Sequence, residues 1–139
     1  MKPVLEVEIV AANGAVICLP KGNLDPTSAT AFRGAISLCL GEPGLIIDLS
    51  GVRFIDGAGL TAVVGALRRA QEHRTRVAVV VPAGTLRKVL EEAGLDLVVS
   101  MSETTDLALA EIHDQAQNPG VHSPGRSDEF VLGAPGACR

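Results

Sequence analysis

The stretch 45-LIIDLSGVRFIDGAGL-60 joins two apolar segments to a turn in which glycines enclose a single alanine. Its first part, 45-LIIDL-49, is typical of a central strand covered on both faces, because nearly every position is apolar. An amphipathic helix is predicted after the turn, since apolar residues recur at helical spacing: Leu60, Val63, Val64 and Leu67. The stretch therefore predicts a buried strand, a sharp turn and a helix that packs one face on the core.

The sequence before this stretch predicts a hairpin and a helix. In 4-VLEVEIVAANGAVICLP-20, apolar and polar residues alternate, and Asn13-Gly14 is the strongest short hairpin turn signal. Asp25 can cap a following helix, with Pro26 at its first position, where a missing N–H is harmless. One face of that helix carries Phe32, Ile36 and Leu40.

The sequence after it continues the alternation of strands and helices. Strands are predicted at 77-VAVVV-81 and near 97-LVVSM-101, and helices at 86-LRKVLEEA-93, where Thr85 can serve as cap, and from about Thr104 to Gln115. Such alternation favours right-handed crossovers. We therefore predict an α/β fold with a mostly parallel or mixed sheet, an N-terminal hairpin and about four helices.

Composition supports one domain with an aliphatic core. Hydrophobic residues make up 47% of the 139 residues and aromatic residues only 2%. We assign the domain to residues 1–116 and predict a disordered tail over 117–139, because proline and glycine are frequent there and no periodicity remains. Its short segment 130-FVL-132 could be a docking motif or a chance occurrence.

Charge and hydropathy argue against nucleic-acid binding and against membrane insertion. The net charge is −4 and the chain has no Trp or Tyr, so we expect no direct nucleic-acid binding. No apolar run approaches the roughly 18–20 residues of a membrane span, and the N-terminus has no signal-peptide pattern, so we expect no membrane insertion and a cytoplasmic protein.

No motif with catalytic or metal-binding chemistry survives a check of its context. Residues 57–62 formally match G-x-G-x-x-A, but the next strand runs into Pro82 where a dinucleotide site expects an acidic residue. His73, His113 and His122 are scattered, and Asp48 and Asp56 are better explained as turn or cap residues than as paired carboxylates. We expect no enzyme, no cofactor and no metal.

The roles of the cysteines and of an arginine cluster each have two possible interpretations. Cys18 and Cys39 are interpreted as small buried apolar residues, with a thiol switch as the less favoured alternative, whereas Cys138 lies in the predicted tail. A basic cluster follows the central helix: Arg68, Arg69, Arg74 and Arg76. Placement near a helix C-terminus explains that cluster most simply, and a surface for an acidic partner is the alternative.

Three segments together resemble the STAS domain of anti-sigma factor antagonists: 22-GNLD-25, 45-LIIDLSGVRFIDGAGL-60 and 86-LRKVLEEAGL-95. The resemblance spans about Val4 to Ala116 and implies a β/α fold that performs no chemistry of its own. It implies docking onto an anti-sigma factor, usually one with a histidine-kinase-like ATPase fold, which releases a sigma factor for transcription.

The resemblance also identifies a phosphorylation loop that lacks its acceptor. In the family's D-S-S-G-L motif, the residue before the glycine is the phosphorylated serine or threonine, and the modified form no longer binds. Gly57 and Ala58 occupy the two hydroxyl positions here. The partner-binding surface implied by the resemblance comprises Asp25, Asp56, Gly57, Ala58, Gly59, Leu60 and Thr61.

Three hypotheses follow from the missing hydroxyl. The protein binds its anti-sigma factor constitutively; or it is controlled elsewhere, through Thr61, Ser50 or the cysteines; or the surface serves another use. Small STAS domains also act as regulatory subunits of lipid-transport ATPases or of signalling complexes, which is the alternative function. An anion bound at the helix start is a third and weaker possibility.

Overall fold

The computed structural model describes residues 5–117. Strands and helices alternate after an N-terminal hairpin, in the order β1 (Leu5–Ala12), β2 (Ala15–Leu24), α1 (Ala29–Cys39), β3 (Gly44–Asp48), β4 (Val52–Ile55), α2 (Gly57–Glu72), β5 (Arg76–Val80), α3 (Thr85–Glu92), β6 (Met101–Ser102) and α4 (Thr105–Gln117). A short 3₁₀ helix at Leu95–Leu97 lies between α3 and β6. The predicted α/β class, with its hairpin and four helices, is confirmed.

The strands form one six-stranded mixed sheet. Its main order is β1-β2-β3-β5-β6, and β4 pairs with β2 off this path. Among the strands of residues 5–117, β1 and β2 pair antiparallel, and the remaining pairs are parallel. Strand β2 is long enough to pair with β3 through Val16–Cys18 and then, past a register shift at Gly22/Asn23, with β4.

Strand β3 lies between two separate parts of the core, which explains its continuous apolar run. Leu45 and Ile47 pack with residues of α1, α2 and α3, including Phe32 and Leu90. Ile46 points the other way, into a smaller cluster with Ile112 of α4. Because successive side chains of a strand alternate between faces, a strand covered on both sides needs apolar residues at every position.

The hairpin turn follows the sequence signal. Asn13 and Gly14 both have positive φ, 33° and 86°, and the pair Ala12–Ala15 closes the strands around them. A two-residue turn of this kind matches the twist of the flanking strands, and it demands residues that tolerate the left-handed region. The prediction at this position is confirmed.

The structure corrects the predicted bounds of two helices. Helix α1 begins at Ala29 rather than at Pro26, and Asp25 instead caps the turn that leads into it. The N-cap of α3 is Gly84, so the prediction of Thr85 as cap was wrong. A side chain that bonds its neighbouring N–H groups suits a turn as well as a helix cap, so the residue type alone does not distinguish them.

Two strand predictions also needed correction. Strand β4 was not predicted, because its four residues merge with the turn sequence around them. The predicted strand 97-LVVSM-101 is mostly a 3₁₀ turn and coil, and only Met101–Ser102 pairs with β5. The predicted tail and 130-FVL-132 lie outside the described residues.

Arg87 of α3 clamps one end of the sheet. Its guanidinium donates to the carbonyl of Val81 at 2.6 Å and to that of Met101 at 3.0 Å, and its Nε donates to Glu91 at 3.1 Å. These bonds join the segments that follow β5 and begin β6. A planar fork of donors suits this bridging position, which a single ammonium group cannot reproduce.

We predict that Arg87→Met lowers the free energy of unfolding by about 2 kcal/mol, because it leaves two carbonyl groups without a charged donor. Lys88→Met is the matched control on the exposed side of the same helix, with an expected change within about 0.5 kcal/mol. Urea unfolding followed by circular dichroism measures both. Equal stability of the two variants would contradict the clamp.

Candidate functional site

The candidate site forms where β2 and β4 end side by side. Leu24 pairs with Ile55, so Asp25 and Asp56 leave the sheet at the same edge. The backbone N–H of Asp56 also donates to the Leu24 carbonyl at 3.2 Å. The carboxyl ends of adjacent parallel strands thus bring together two residues that are 31 positions apart in the sequence.

Asp56 organises the turn into α2. It is the N-cap, with extended backbone, and its carboxylate accepts a hydrogen bond from the Gly59 N–H at 2.9 Å. Its carbonyl accepts from the Leu60 N–H at 2.8 Å, which starts the helix. The interpretation of Asp56 as a cap residue is therefore confirmed.

The two glycines of the turn have different roles. Gly59 is buried, and a Cβ there would lie 2.2 Å from the Leu24 carbonyl oxygen, so only glycine allows this approach of α2 to β2. Gly57 is exposed, and a Cβ there would meet nothing within 4 Å. The geometry of the turn therefore requires the second glycine and not the first.

The start of α2 presents a surface without a reactive hydroxyl at position 58. Gly57 and Thr61 are exposed and Ala58 is half-buried, whereas Leu60 packs against the main core. The Thr61 hydroxyl donates to the Gly57 carbonyl at 2.9 Å, one turn back along the helix. The exposed residues Gly57 and Thr61 have no side chain or a short one, so a partner can approach the backbone closely.

Asp25 adds a negative charge beside this turn. Its carboxylate accepts from the Thr27 hydroxyl at 2.7 Å and from the N–H groups of Thr27 and Ser28 at 3.0 and 3.2 Å. The Thr27 hydroxyl is the main cause that lowers the pKa of Asp25, with partial desolvation opposing it. Asp25 is therefore ionised at neutral pH.

Phe54 is a candidate interface residue that sequence reasoning missed. It lies on β4, two residues before the cap, and 52% of its surface is exposed. Its neighbours Val52 and Ile55 are buried, and Arg53 is exposed as well. An exposed aromatic ring beside a glycine turn is typical of protein interfaces. Because Phe54 lies within a short apolar segment, its sequence context does not indicate that the side chain is exposed.

The other candidate sites resolve into structural roles. Within residues 5–117, no group of three or more His, Cys, Asp or Glu side chains could hold a metal ion. The Asp48 carboxylate accepts from the Ser50 hydroxyl and N–H at 2.7 and 2.9 Å, as a turn residue does. The same residues include no helix long and apolar enough to cross a membrane.

The arginine cluster divides among different surroundings. Arg68 is exposed, Arg69 donates to the Ser37 hydroxyl of α1, and Arg74 has a φ of 58° just after the end of α2. Arg76 begins β5, and its buried Nε has no hydrogen-bond partner. The four arginines therefore differ in exposure and in hydrogen bonding, and a surface for an acidic partner stays a prediction.

Cys18 and Cys39 are fully buried in the main core. Burial, and next the neighbouring Cys39, raise the pKa of the Cys18 thiol to about 12. Burial and the charge of Glu42 also raise the pKa of Cys39, against a hydrogen bond with Cys18. Since the thiolate is the reactive form, these surroundings favour the apolar role over a redox role.

Comparisons with known proteins agree on one family. A model described as the STAS domain matches residues 6–108. An anti-sigma factor antagonist from Mycobacterium paratuberculosis is 26% identical, with a TM-score of 0.74 over 79% of this chain and 95% of that one. The Bacillus antagonist SpoIIAA in its unphosphorylated form is 22% identical, with a TM-score of 0.57 over 81% and 97% of the two chains.

The same fold occurs within a very different protein. A murine anion transporter, solute carrier 26 family member A9, is 17% identical, with a TM-score of 0.64. The match covers 73% of this chain but only 18% of the transporter. The fold alone therefore does not identify a partner.

We predict that Gly59→Ala destabilises the fold by about 2–3 kcal/mol, because the added methyl group overlaps the Leu24 carbonyl. Gly57→Ala, two residues earlier, should stabilise it by about 0.5–1 kcal/mol, because the unfolded chain loses freedom and nothing clashes. Thermal and urea unfolding measure the pair. A harmless Gly59→Ala would mean that α2 does not depend on this close approach.

The cysteine environment predicts resistance to alkylation in the folded state. At pH 8.5, iodoacetamide should leave Cys18 and Cys39 unmodified in the native chain and modify both in urea, as read by peptide mass mapping. Because folding raises the Cys18 pKa, its contribution to stability is complete below the ordinary value of 9.0 and is lost as the pH rises towards about 12. Rapid native labelling at Cys18 would contradict its burial.

Proposed function

Because the chain belongs to the STAS domain family, we propose that it is an anti-sigma factor antagonist, which binds an anti-sigma factor and thereby frees a sigma factor. One observation carries the proposal: the Asp56–Gly59 turn leaves Gly57 and Thr61 exposed and Ala58 half-buried at the start of α2. The likeness to the Mycobacterium paratuberculosis antagonist supports it at the level of the whole domain. The protein acts by binding rather than by catalysis.

The partner is proposed to be an anti-sigma factor with a histidine-kinase-like ATPase fold, in the cytoplasm. Of the residues implied by the resemblance, Asp25, Asp56, Gly57, Ala58 and Thr61 form the proposed contact surface, and the buried Gly59 and core-packed Leu60 support it from beneath. Exposed backbone at Gly57 and the small side chain of Ala58 allow close approach, while Phe54 supplies an apolar anchor at the edge. The ionised Asp25 favours a cationic group on the partner.

Binding is proposed to be constitutive with respect to phosphorylation at position 58. Alanine has no hydroxyl to accept a phosphoryl group. On a serine at this place, a phosphate would add roughly −1.5 to −2 charges beside the capped Asp56, in a surface that the partner buries. Without a phosphate at position 58, binding to the anti-sigma factor is controlled by expression, by the partner, or by phosphorylation of another hydroxyl of this chain.

Two hydroxyls near the turn are alternative acceptors. Thr61 is exposed one helical turn from Ala58, and its Oγ1 donates to Gly57. Ser50 is exposed after β3, and its hydroxyl donates to Asp48. Of the two, Thr61 lies within the proposed contact surface, so a phosphate there would act on the same interface.

A second candidate function is a regulatory subunit of another assembly, such as a lipid-transport ATPase or a signalling complex. The STAS fold of the murine anion transporter favours this alternative, since the fold forms only a small part of that chain. The same turn would then serve as a plain protein interface. The identity of the captured partner distinguishes the two functions.

The test is capture of partners from the native lysate by immobilised wild-type protein and by Ala58→Glu. We expect wild type to retain a kinase-like anti-sigma factor and Ala58→Glu to lose it, with an affinity loss of about 100-fold or more, because a buried unpaired charge is costly. Ala83→Glu is the matched control at an exposed alanine of the loop after β5, and it should bind like wild type.

Other outcomes distinguish an error in the proposed function from an error in the proposed contact surface. Capture of a transporter ATPase by wild type would support the second function and contradict the first. Equal capture of the anti-sigma factor by wild type and Ala58→Glu would retain the function and contradict the proposed surface. With the captured partner and ATP, phosphate incorporation into Ala58→Ser but not into wild type would support the missing acceptor.

A further inference from the structure

Strand β1 forms a long free edge of the sheet. It has eight residues and, among the strands of residues 5–117, pairs with β2 alone, at one end of the strand order. The strand at the opposite end, β6, has two residues. A long edge strand presents a row of unpaired N–H and C=O groups that can pair with another strand.

The position of Pro20 identifies which backbone groups of β1 point to the free edge. Pro20 lies opposite Val7 and has no N–H, so this pair is one that does not exchange backbone hydrogen bonds. Because such pairs alternate along an antiparallel ladder, the backbone groups of Leu5, Val7, Ile9 and Ala11 point away from β2. The free edge therefore offers four residues with both a donor and an acceptor.

Charge protects only part of this edge, because its glutamates, Glu6 and Glu8, are followed by a run of apolar residues. Ile9 and Val10 are each 43% exposed on opposite faces of the strand, and Leu38 of the neighbouring helix α1 is 75% exposed. Strand β1 contains no proline and no lysine, and its register with β2 runs without a shift. Edges of monomeric sheets are normally blocked by such devices.

We propose that β1 pairs antiparallel with β1 of a second copy of this chain, with Ile9 on the two-fold axis. In that register Ile9 faces Ile9, Val7 faces Ala11 and Glu8 faces Val10 of the other copy, so no glutamates lie directly opposite each other. A shift that centres the pairing on Glu8 would oppose two carboxylates, which is unfavourable. A second copy therefore fits this edge, because its own β1 offers the matching donors and acceptors and the register centred on Ile9 opposes no two carboxylates.

This pairing leaves the docking turn accessible. Strand β1 lies on one side of β2, whereas β3 and β4 lie on the other. The dimer would join two sheets through β1 and carry two copies of the Asp56–Gly59 turn. Two anti-sigma factors, or both halves of a dimeric one, could then bind at once, with a gain in avidity.

The test is sedimentation of the full chain over a range of concentrations, with wild type expected to approach twice the 14.3 kDa chain mass. Ile9→Lys should weaken dimerisation at least about tenfold, because two ammonium groups meet at the axis. Val10→Lys is the matched control, with equal native exposure; its lysine would face Glu8 of the other copy, so the dimer should persist or strengthen.

Each result decides the proposal. A wild type that stays monomeric to millimolar concentration overturns it, as does a dimer that Ile9→Lys leaves intact or that both lysine variants weaken equally. If circular dichroism shows that Ile9→Lys is unfolded, Ile9→Pro replaces it, because proline removes an outward N–H and leaves the bonds to β2. A folded Ile9→Pro that dimerises like wild type also overturns the proposal.

Discussion

The close approach of α2 to the end of β2 is the constraint on which the site depends. The Leu24 carbonyl accepts from the Asp56 N–H, and Gly59 packs against that same carbonyl with no room for a side chain. This contact brings the turn beside Asp25 and aims the first turn of α2 outward. It also pins β4 to β2, because Leu24 and Ile55 are paired strand residues.

The same constraint explains why the turn keeps its shape without a hydroxyl at position 58. Asp56 holds the helix start through the Gly59 N–H, and Gly59 sets its distance from the sheet. The side chain at 58 takes part in neither interaction. A serine in place of the alanine would therefore change the chemistry of the surface and leave both of these interactions in place.

The central strand β3 is covered on both faces, whereas the end strand β1 is partly exposed. Strand β3 packs on both faces, so its sequence is uniformly apolar and its place is fixed by burial. Strand β1 is covered much less, and its apolar residues near the turn remain exposed. The Asp56–Gly59 turn and strand β1 lie on opposite sides of β2, so the two proposed interfaces do not overlap.

Local chemistry let the sequence by itself determine the hairpin at Asn13-Gly14, the apolar β3, the amphipathic α2 and the cap at Asp56. Each of these follows from residue type and spacing within a few positions. The absence of a hydroxyl at Ala58 is likewise a fact of the sequence, and its meaning came from the family resemblance. The sequence also predicted the class of fold, because alternating periodicities leave few arrangements of strands and helices.

Only the tertiary structure decided what depends on neighbours far along the chain. That Gly59 is required and Gly57 is not follows from the Leu24 carbonyl, 35 positions away. The short β4, the exposure of Phe54 and the clamp at Arg87 likewise depend on pairing and packing that no local pattern records. The start of α1 was misplaced for the same reason: an aspartate that caps a turn and one that caps a helix make similar local bonds, and only the packing of the following residues decides where the helix begins.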